Sequence, residues 1–312
     1  MESNREKYQE AISQQDVDIF LHPWWLDIVC GKNKWAPFLI EGHNSRIDGI
    51  WPVPMQQNFL GKHISRQPGL TPVLGMRIFT PNAISNPAKR EKFKQKTIRK
   101  FLSGLKKQEI RFLNQYFPKE FEKEQEFAWQ GFRNENYSRY ILESIKDHEN
   151  IWGNFEGDIR ANIKKAENIF QIKISDNGAN LFPFIEGNIL NSESFTQLTA
   201  QSISRSYSKV IYGKKDNAIK GACFILVDKS KAYLLCLGVD NDEKNSGLSS
   251  LLIWEGIQYA SKFVDTFDFG GSMIPGISKF MQGFTRDKLV YLRMRYYHNQ
   301  LTKILFTALN KD

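Results

Sequence analysis

Apolar residues alternate with polar ones in short windows and recur at helical spacing in longer ones, and this contrast lays out most of the chain. Residues 222–227 and 232–239 are apolar runs on either side of the turn Asp228-Lys229-Ser230-Lys231, so they read as two paired strands. A loop follows over 240–246. Residues 248–262 then set Leu251, Leu252, Trp254, Ile257 and Ala260 on one broad face, the pattern of a helix lying on a sheet. Further strands are predicted over 266–269 and 289–297, with a short helix over 300–309.

Two stretches repeat one another. Residues 38–53 and 210–225 each run from an apolar strand through Gly42 or Gly213 and a polar turn into a second apolar strand. The second strand opens on Ile47-Asp48-Gly49 in one and Ile219-Lys220-Gly221 in the other. Each is preceded by a helical pattern, over 23–30 and 194–207, so an internal duplication is expected. A strand-bearing segment over 129–139 and a helix over 151–168 lie between the copies. The boundary is therefore placed near residue 150, with domains 1–150 and 151–312 and the last helix packing back on the first domain.

Charge sharpens one element. The chain carries a formal +9, and the segment 89–107 holds nine basic residues and one acid, or +8. Phe93, Thr97, Phe101, Leu102 and Leu105 recur between the lysines, which makes an amphipathic helix with a basic face, begun by Asn86 and Pro87. That face is either solvated or a docking surface for a polyanion such as tRNA.

The remaining composition mainly excludes. The first 25 residues are too polar for a signal sequence and no later run is apolar enough to span a bilayer, so a soluble cytoplasmic protein is expected. Three cysteines without CxxC spacing (Cys30, Cys223, Cys236) argue against disulfides and a zinc cluster, and the five histidines lack ligand spacing, so no metal is expected. Dinucleotide, P-loop, zinc-protease and nucleophile-elbow motifs are absent.

What remains is direct group transfer, which needs a bound donor, a positioned amine and a path for its proton. The loop Ser246-Gly247-Leu248-Ser249 opens the helix at 248, and backbone N–H groups there suit a donor's phosphates, with a plain helix cap as the alternative reading. Asp268 alternates with Phe267 and Phe269, so it either faces a cleft or is paired with a base. Tyr233 and Tyr207 are candidates for proton relay or donor contact, with packing as the alternative. Arg160 and Lys164 share a helix face that suits a phosphate or carboxylate, with solvated charge as the alternative. The Pro/Gly loop over 66–72 either lines the site or is a turn.

The run Phe267-Asp268-Phe269-Gly270-Gly271-Ser272-Met273-Ile274-Pro275, followed by Phe280 and Gly283-Phe284, resembles the signature of FemAB-like acyltransferases of the GNAT superfamily. The likeness extends to Gly238, to the helix GLSSLLIWEGIQYA, to the segment at 160–166 and, more loosely, to FLHPWW at 20–25. It implies an α/β protein with mixed sheets, made of two tandem GNAT-like domains with a cleft between them. It further implies transfer of an acyl or aminoacyl group to an amine of a small-molecule or cell-wall-precursor acceptor, from acyl-CoA or aminoacyl-tRNA. Phe280 would then belong to the donor site and Ser272 to the acceptor site. Two departures bear on the donor: the bridge-forming members carry a lysine where this chain has Met281, with Lys279 on the other side of Phe280, and no long helical-hairpin insertion is present. Acyl-CoA is therefore the expected donor, aminoacyl-tRNA the alternative, and a catalytically degenerate pair that binds nucleic acid or protein the third reading.

Overall fold

The computed structural model describes residues 2–57, 61, 63–122, 124–185, 190–271 and 274–309. The chain forms two compact units, Met1–Tyr137 with Val290–Asp312, and Ser138–Leu289. The division thus falls at Tyr137/Ser138 rather than near residue 150, and the final segment belongs to the first unit.

Unit 1 begins with α1 (Glu2–Ser13) and α2 (Pro23–Val29). Then come β1 (Trp35–Glu41), β2 (Ile47–Pro54), β3 (Gln56–Gln57), β4 (His63–Arg66), β5 (Arg77–Ile78), α3 (Pro87–Lys107), β6 (Phe112–Pro118), α4 (Gln125–Trp129) and the start of β7 (Phe132–Glu143). Unit 2 takes the end of β7, then α5 (His148–Asn154), α6 (Gly157–Glu167), β8 (Gln171–Ser175), α7 (Ser192–Arg205), β9 (Lys209–Lys215), β10 (Ala218–Val227), β11 (Ala232–Val239), α8 (Leu248–Ala260), β12 (Thr266–Gly270) and α9 (Pro275–Gln282). Strand β13 (Lys288–Tyr297) and α10 (Gln300–Leu309) return the chain to unit 1.

One topology occurs in both units. In unit 2 the antiparallel hairpin β9–β10 is followed by β11, then α8, then β12 parallel to β11, and β7 lies antiparallel to β12. In unit 1 the antiparallel hairpin β1–β2 is followed by β4, then α3, then β6 parallel to β4, with β13 antiparallel to β6. The two predicted hairpins are the matching parts. The units differ at one joint: β10 and β11 pair along their length, whereas β1–β2–β5 form a sheet separate from β3–β4–β6–β13. Across that break runs a buried relay of side chains, Trp51 Nε1 donating to Gln115 Oε1 at 2.9 Å and Gln115 Nε2 donating to Ser65 Oγ at 2.8 Å. Buried polar groups so satisfied fix the relative placing of β2, β6 and β4.

Helix α3 forms where its pattern predicts. Asn86 caps it, accepting from the N–H of Lys89 at 3.1 Å, Pro87 supplies a preset first-turn φ, and Thr97, Ile98, Phe101, Leu102 and Leu105 are buried. These side chains meet Trp51, Leu113, Phe117, Leu292 and Met294 in the core of unit 1. The predicted single helix over 151–168 is two helices. Phe155, buried and extended (φ −65°, ψ 145°), ends α5, and the Arg160 guanidinium donates to the carbonyls of Gly153 at 2.9 Å and of Phe155. The break is thus held by a side chain from the next helix.

Among the described residues no helix is long and apolar enough to cross a membrane, and no group of three or more His, Cys, Asp or Glu residues is placed to hold a metal ion. The cap gives a direct test of α3. Asn86→Ala should lower stability by about 1 kcal/mol, read as a reduced urea midpoint with an unchanged m-value.

Candidate functional site

The site lies in unit 2, where two neighbouring strands part. β11 and β12 pair at only two positions, Ala232↔Phe267 and Tyr233↔Asp268, although β11 continues to Val239 and β12 to Gly270. A β-bulge in the β10–β11 ladder, between Phe224 and Ile225, bends β11 over the part that has left β12. Parallel strands that separate in this way leave an open slot at their C-terminal ends. The chain re-enters there as α8.

Asp268 holds β12 on the far side of the slot. It is fully buried, receives Arg139 Nε at 3.0 Å and Nη2 at 2.9 Å on Oδ1, and takes the Gly270 N–H at 2.8 Å on the same oxygen. Arg139 stands on β7, the strand on the other side of β12. Of the alternatives that the alternating pattern left for Asp268, the structure shows a paired base. Tyr233, its partner across the last β11–β12 rung, is also buried, with the Lys231 ammonium 5.8 Å from its ring centroid.

The α8 N-terminus forms one end of the slot. Ser246 Oγ donates to the Glu243 carbonyl at 2.7 Å and accepts from the Leu248 N–H at 3.3 Å, so this serine does cap work. The N–H groups of Ser249 and Ser250 meet no acceptor among the described residues. Gly247 has φ +89°, and a β-carbon there would lie 2.2 Å from the Asn162 carbonyl oxygen of α6. Both the backbone and the neighbour therefore require glycine. Lys165 of α6 ties the loop from the other side, donating to the Asn245 carbonyl at 3.0 Å. Leu248 is buried, its side chain lying over Gly213 and Gly221 of the hairpin. On the opposite face of β11 the Phe184 carbonyl, at the end of the 3₁₀ turn Ala179–Phe184, comes so close to Gly238 that a β-carbon would stand 1.7 Å from it.

The remaining predicted residues are dispersed. Arg160 spends Nη1 on the end of α5, and Lys164, one turn on, is exposed. Tyr207 stacks on Phe263 at 4.2 Å beyond the C-terminal end of α8, and a 13-residue helix separates it from Gly247 by about 20 Å. Phe280 of α9 packs half-buried on the core with its ring 5.5 Å from Phe284. Met281 turns into the core and Lys279 outward, as positions two apart on a helix must. Ser272 lies outside the described residues.

One cluster had no signal in the sequence. The Tyr140 hydroxyl lies 2.7 Å from Ser278 Oγ and accepts from Gln282 Nε2 at 2.8 Å, and Lys288 Nζ is 5.2 Å from its ring centroid. Tyr140 is an ordinary strand tyrosine by pattern; only the packing of α9 on β7 assembles the group.

The thiols are poor nucleophiles. Burial and, secondarily, Asp27 push Cys30 up to about 12, and burial pushes Cys236 up to about 12 and Cys223 well above its usual value. A thiol held protonated does not attack carbonyl carbon, so covalent cysteine catalysis is disfavoured.

A strand pair splayed in front of a helix N-terminus, present in a unit whose topology is repeated in the other, defines the class: two tandem GNAT-like domains. Solved structures agree with that class. The chain is similar to FemX, with a TM-score of 0.65 and 12% identity over 97% of this chain and 98% of that one. It is also similar to L-PGS from Bacillus licheniformis (0.59, 12%, 97% and 96%) and to a tandem GNAT protein of the clavulanic acid biosynthesis pathway (0.56, 8%, 94% and 94%). At these identities the likeness is one of fold. No protein-family model matches the chain and no curated protein matches it in sequence.

The buried ion pair yields a stability test. Asp268→Ala leaves Arg139 buried without its anion and should cost about 3–5 kcal/mol, whereas Arg139→Met with Asp268→Leu should recover most of that loss. Urea unfolding of the single and double variants measures both.

Proposed function

We propose that the protein transfers an acyl group from acyl-CoA to an amine, with the donor in the slot between β11 and β12 and its phosphates at the N-terminus of α8. The observation that carries this reading is the two-rung pairing of β11 with β12 directly before α8. A donor's carbonyl laid in the slot meets strand-edge N–H groups that β12 no longer uses, and the phosphates meet the positive end of a 13-residue helix. In this reading Ser246, Gly247, Leu248 and Ser249 form the phosphate end and Phe280 flanks the donor. Asp268 and Tyr233, which do not reach solvent, position the strands around the slot. Lys164, with Arg160 behind it, and Ser272 serve the acceptor, and Tyr207 lies apart from the phosphate end of α8. The tandem GNAT protein of the clavulanic acid pathway is described as a structure without AcCoA, which names the CoA ester that this reading assigns to the slot.

The test is calorimetric titration of acetyl-CoA together with thiol release in the presence of a panel of primary amines. Binding and amine-dependent release are expected, and absence of binding by any CoA ester overturns the reading. Ser249→Glu discriminates further. A carboxylate in the first turn favours the helix dipole but repels phosphates, so acetyl-CoA affinity should fall by about tenfold or more with the melting temperature unchanged or raised.

A second reading, aminoacyl-tRNA as donor, is favoured by α3. Lys89, Lys92, Lys96, Lys100 and Lys107 are exposed and lack an acidic partner among the described residues, whereas Lys94 pairs with Glu124 and Arg99 with Glu126. Two fold neighbours bear on the acceptor by name: FemX, and a C-terminal domain described as that of a lysylphosphatidylglycerol synthetase. The charge reversal Lys92→Glu, Lys96→Glu and Lys100→Glu should reduce the salt slope of tRNA binding by about three contacts if α3 is the docking face. An unchanged slope removes this reading.

A further inference from the structure

The Tyr140 cluster stands at the same end of the unit 2 sheet as the slot. Tyr140 is the β7 partner of Gly270, the last residue of β12, and β12 at that point has already left β11. The open edge of β12 and Tyr140 are thus on adjacent strands, about 5 Å apart across the ladder. The Tyr140 ring lies with the core residues that α8 covers, the face from which the α8 N-terminus approaches.

The cluster is built from four side chains on three elements. The Tyr140 ring is buried, and its hydroxyl ends beneath α9, where half-buried Ser278 lies 2.7 Å away and exposed Gln282 donates to it at 2.8 Å. Lys288, on β13, holds its ammonium 5.2 Å from the ring centroid and is the charged group facing it; α9 supplies only the neutral Ser278 and Gln282, and β12 the backbone of Gly270. Beside Ser278 on the same helix, Ile274 and Ile277 are 60% and 43% exposed. A two-hydroxyl chain therefore runs from a buried, lysine-faced tyrosine to a serine on an apolar shelf.

We propose that Tyr140 and Ser278 form the proton relay of the transfer reaction, with Ser278 meeting the reacting atoms and Tyr140 acting through it. This inference rests on the transferase reading above. The amine nitrogen bonds to the thioester carbonyl carbon, the C–S bond breaks, and the sulfur leaves with the electron pair. Ser278 Oγ gives its proton to that sulfur as it takes one from Tyr140. The new amide nitrogen then sheds its extra proton to Ser278 Oγ as Ser278 passes its own back to the tyrosinate, which Gln282 and Lys288 hold, so no further reactant is needed. The hydrogen bond with Ser278 is the largest influence and, with that of Gln282 and the charge of Lys288, outweighs burial to draw the Tyr140 hydroxyl below the usual tyrosine range.

The experiment combines a substrate-free and a kinetic measurement on the full chain. Ultraviolet titration should show one tyrosine of the 11 ionising ahead of the others, lost in Tyr140→Phe and moved to higher pH in Lys288→Met and Ser278→Ala. With acetyl-CoA and a panel of primary amines, Tyr140→Phe and Ser278→Ala should each lower kcat by about 100-fold. The rate depends on the protonated hydroxyl, so it falls as pH rises through the Tyr140 pKa, and Lys288→Met should move that alkaline limb upward. An early-titrating tyrosine that persists in Tyr140→Phe overturns the proposal. So does a wild type that turns over while Tyr140→Phe keeps its rate and alkaline limb, and that result leaves the transferase reading standing. A wild type that turns over neither acetyl-CoA nor aminoacyl-tRNA with any amine overturns both.

Discussion

The Arg139–Asp268 ion pair decides where β12 goes. Asp268 occupies the last rung that β12 shares with β11, and its carboxylate is held by a guanidinium on β7, the strand on the other side. Beyond that rung β12 stays with β7 and abandons β11. A fully buried carboxylate costs several kcal/mol unless paired and hydrogen-bonded. This one has both its arginine and the Gly270 N–H, which also sets the turn of the chain, at φ +88°, as it leaves the strand. Replacing the pair by apolar residues could keep the core but would remove the feature that fixes where β12 parts from β11.

Close backbone approach bounds the slot. At Gly247 the α6 backbone comes to the α8 N-terminus, and at Gly238 the turn before residue 185 comes to β11; in each case a single methyl group would collide with a carbonyl oxygen. These contacts limit the size of what can reach the first turn of α8. They also give a structural reason for Gly247 that is independent of any ligand, and the serine before it is partly occupied as a cap. The donor reading therefore rests on the strand geometry and the free N–H groups of the first turn more than on the composition of the loop.

The hairpin β9–β10, strands β11 and β12, helix α8, the α3 helix with its Asn86 cap and the final strand and helix all lie where their patterns place them. Local signals suffice there: period-two alternation, a cap three residues before its partner, and a broad apolar face. The continuous helix over 151–168 does not survive: Gly153-Asn154 and Gly157 mark a break that the helical periodicity on either side masks, and Arg160 stabilises it by satisfying the carbonyls at the end of α5. The final segment, 290–312, joins the first unit by strand pairing. β13 comes from the end of the chain to pair with β6, and pairing between strands far apart in sequence leaves no mark in either.

By itself the sequence determined the order of elements, the duplicated hairpins, the basic face of α3 and the segment 267–284 as a marker of fold, since each depends on periodicity, capping or residue type within a short window. Only the tertiary structure decided what that segment's residues touch. Asp268 meets Arg139 across 129 positions of chain, Ser278 and Gln282 meet Tyr140 across 138 and 142, and Tyr207 is carried to the far end of α8. Such contacts are set by which strands pair and which helix faces pack, quantities that accumulate over the whole fold and are not encoded in any one stretch of it.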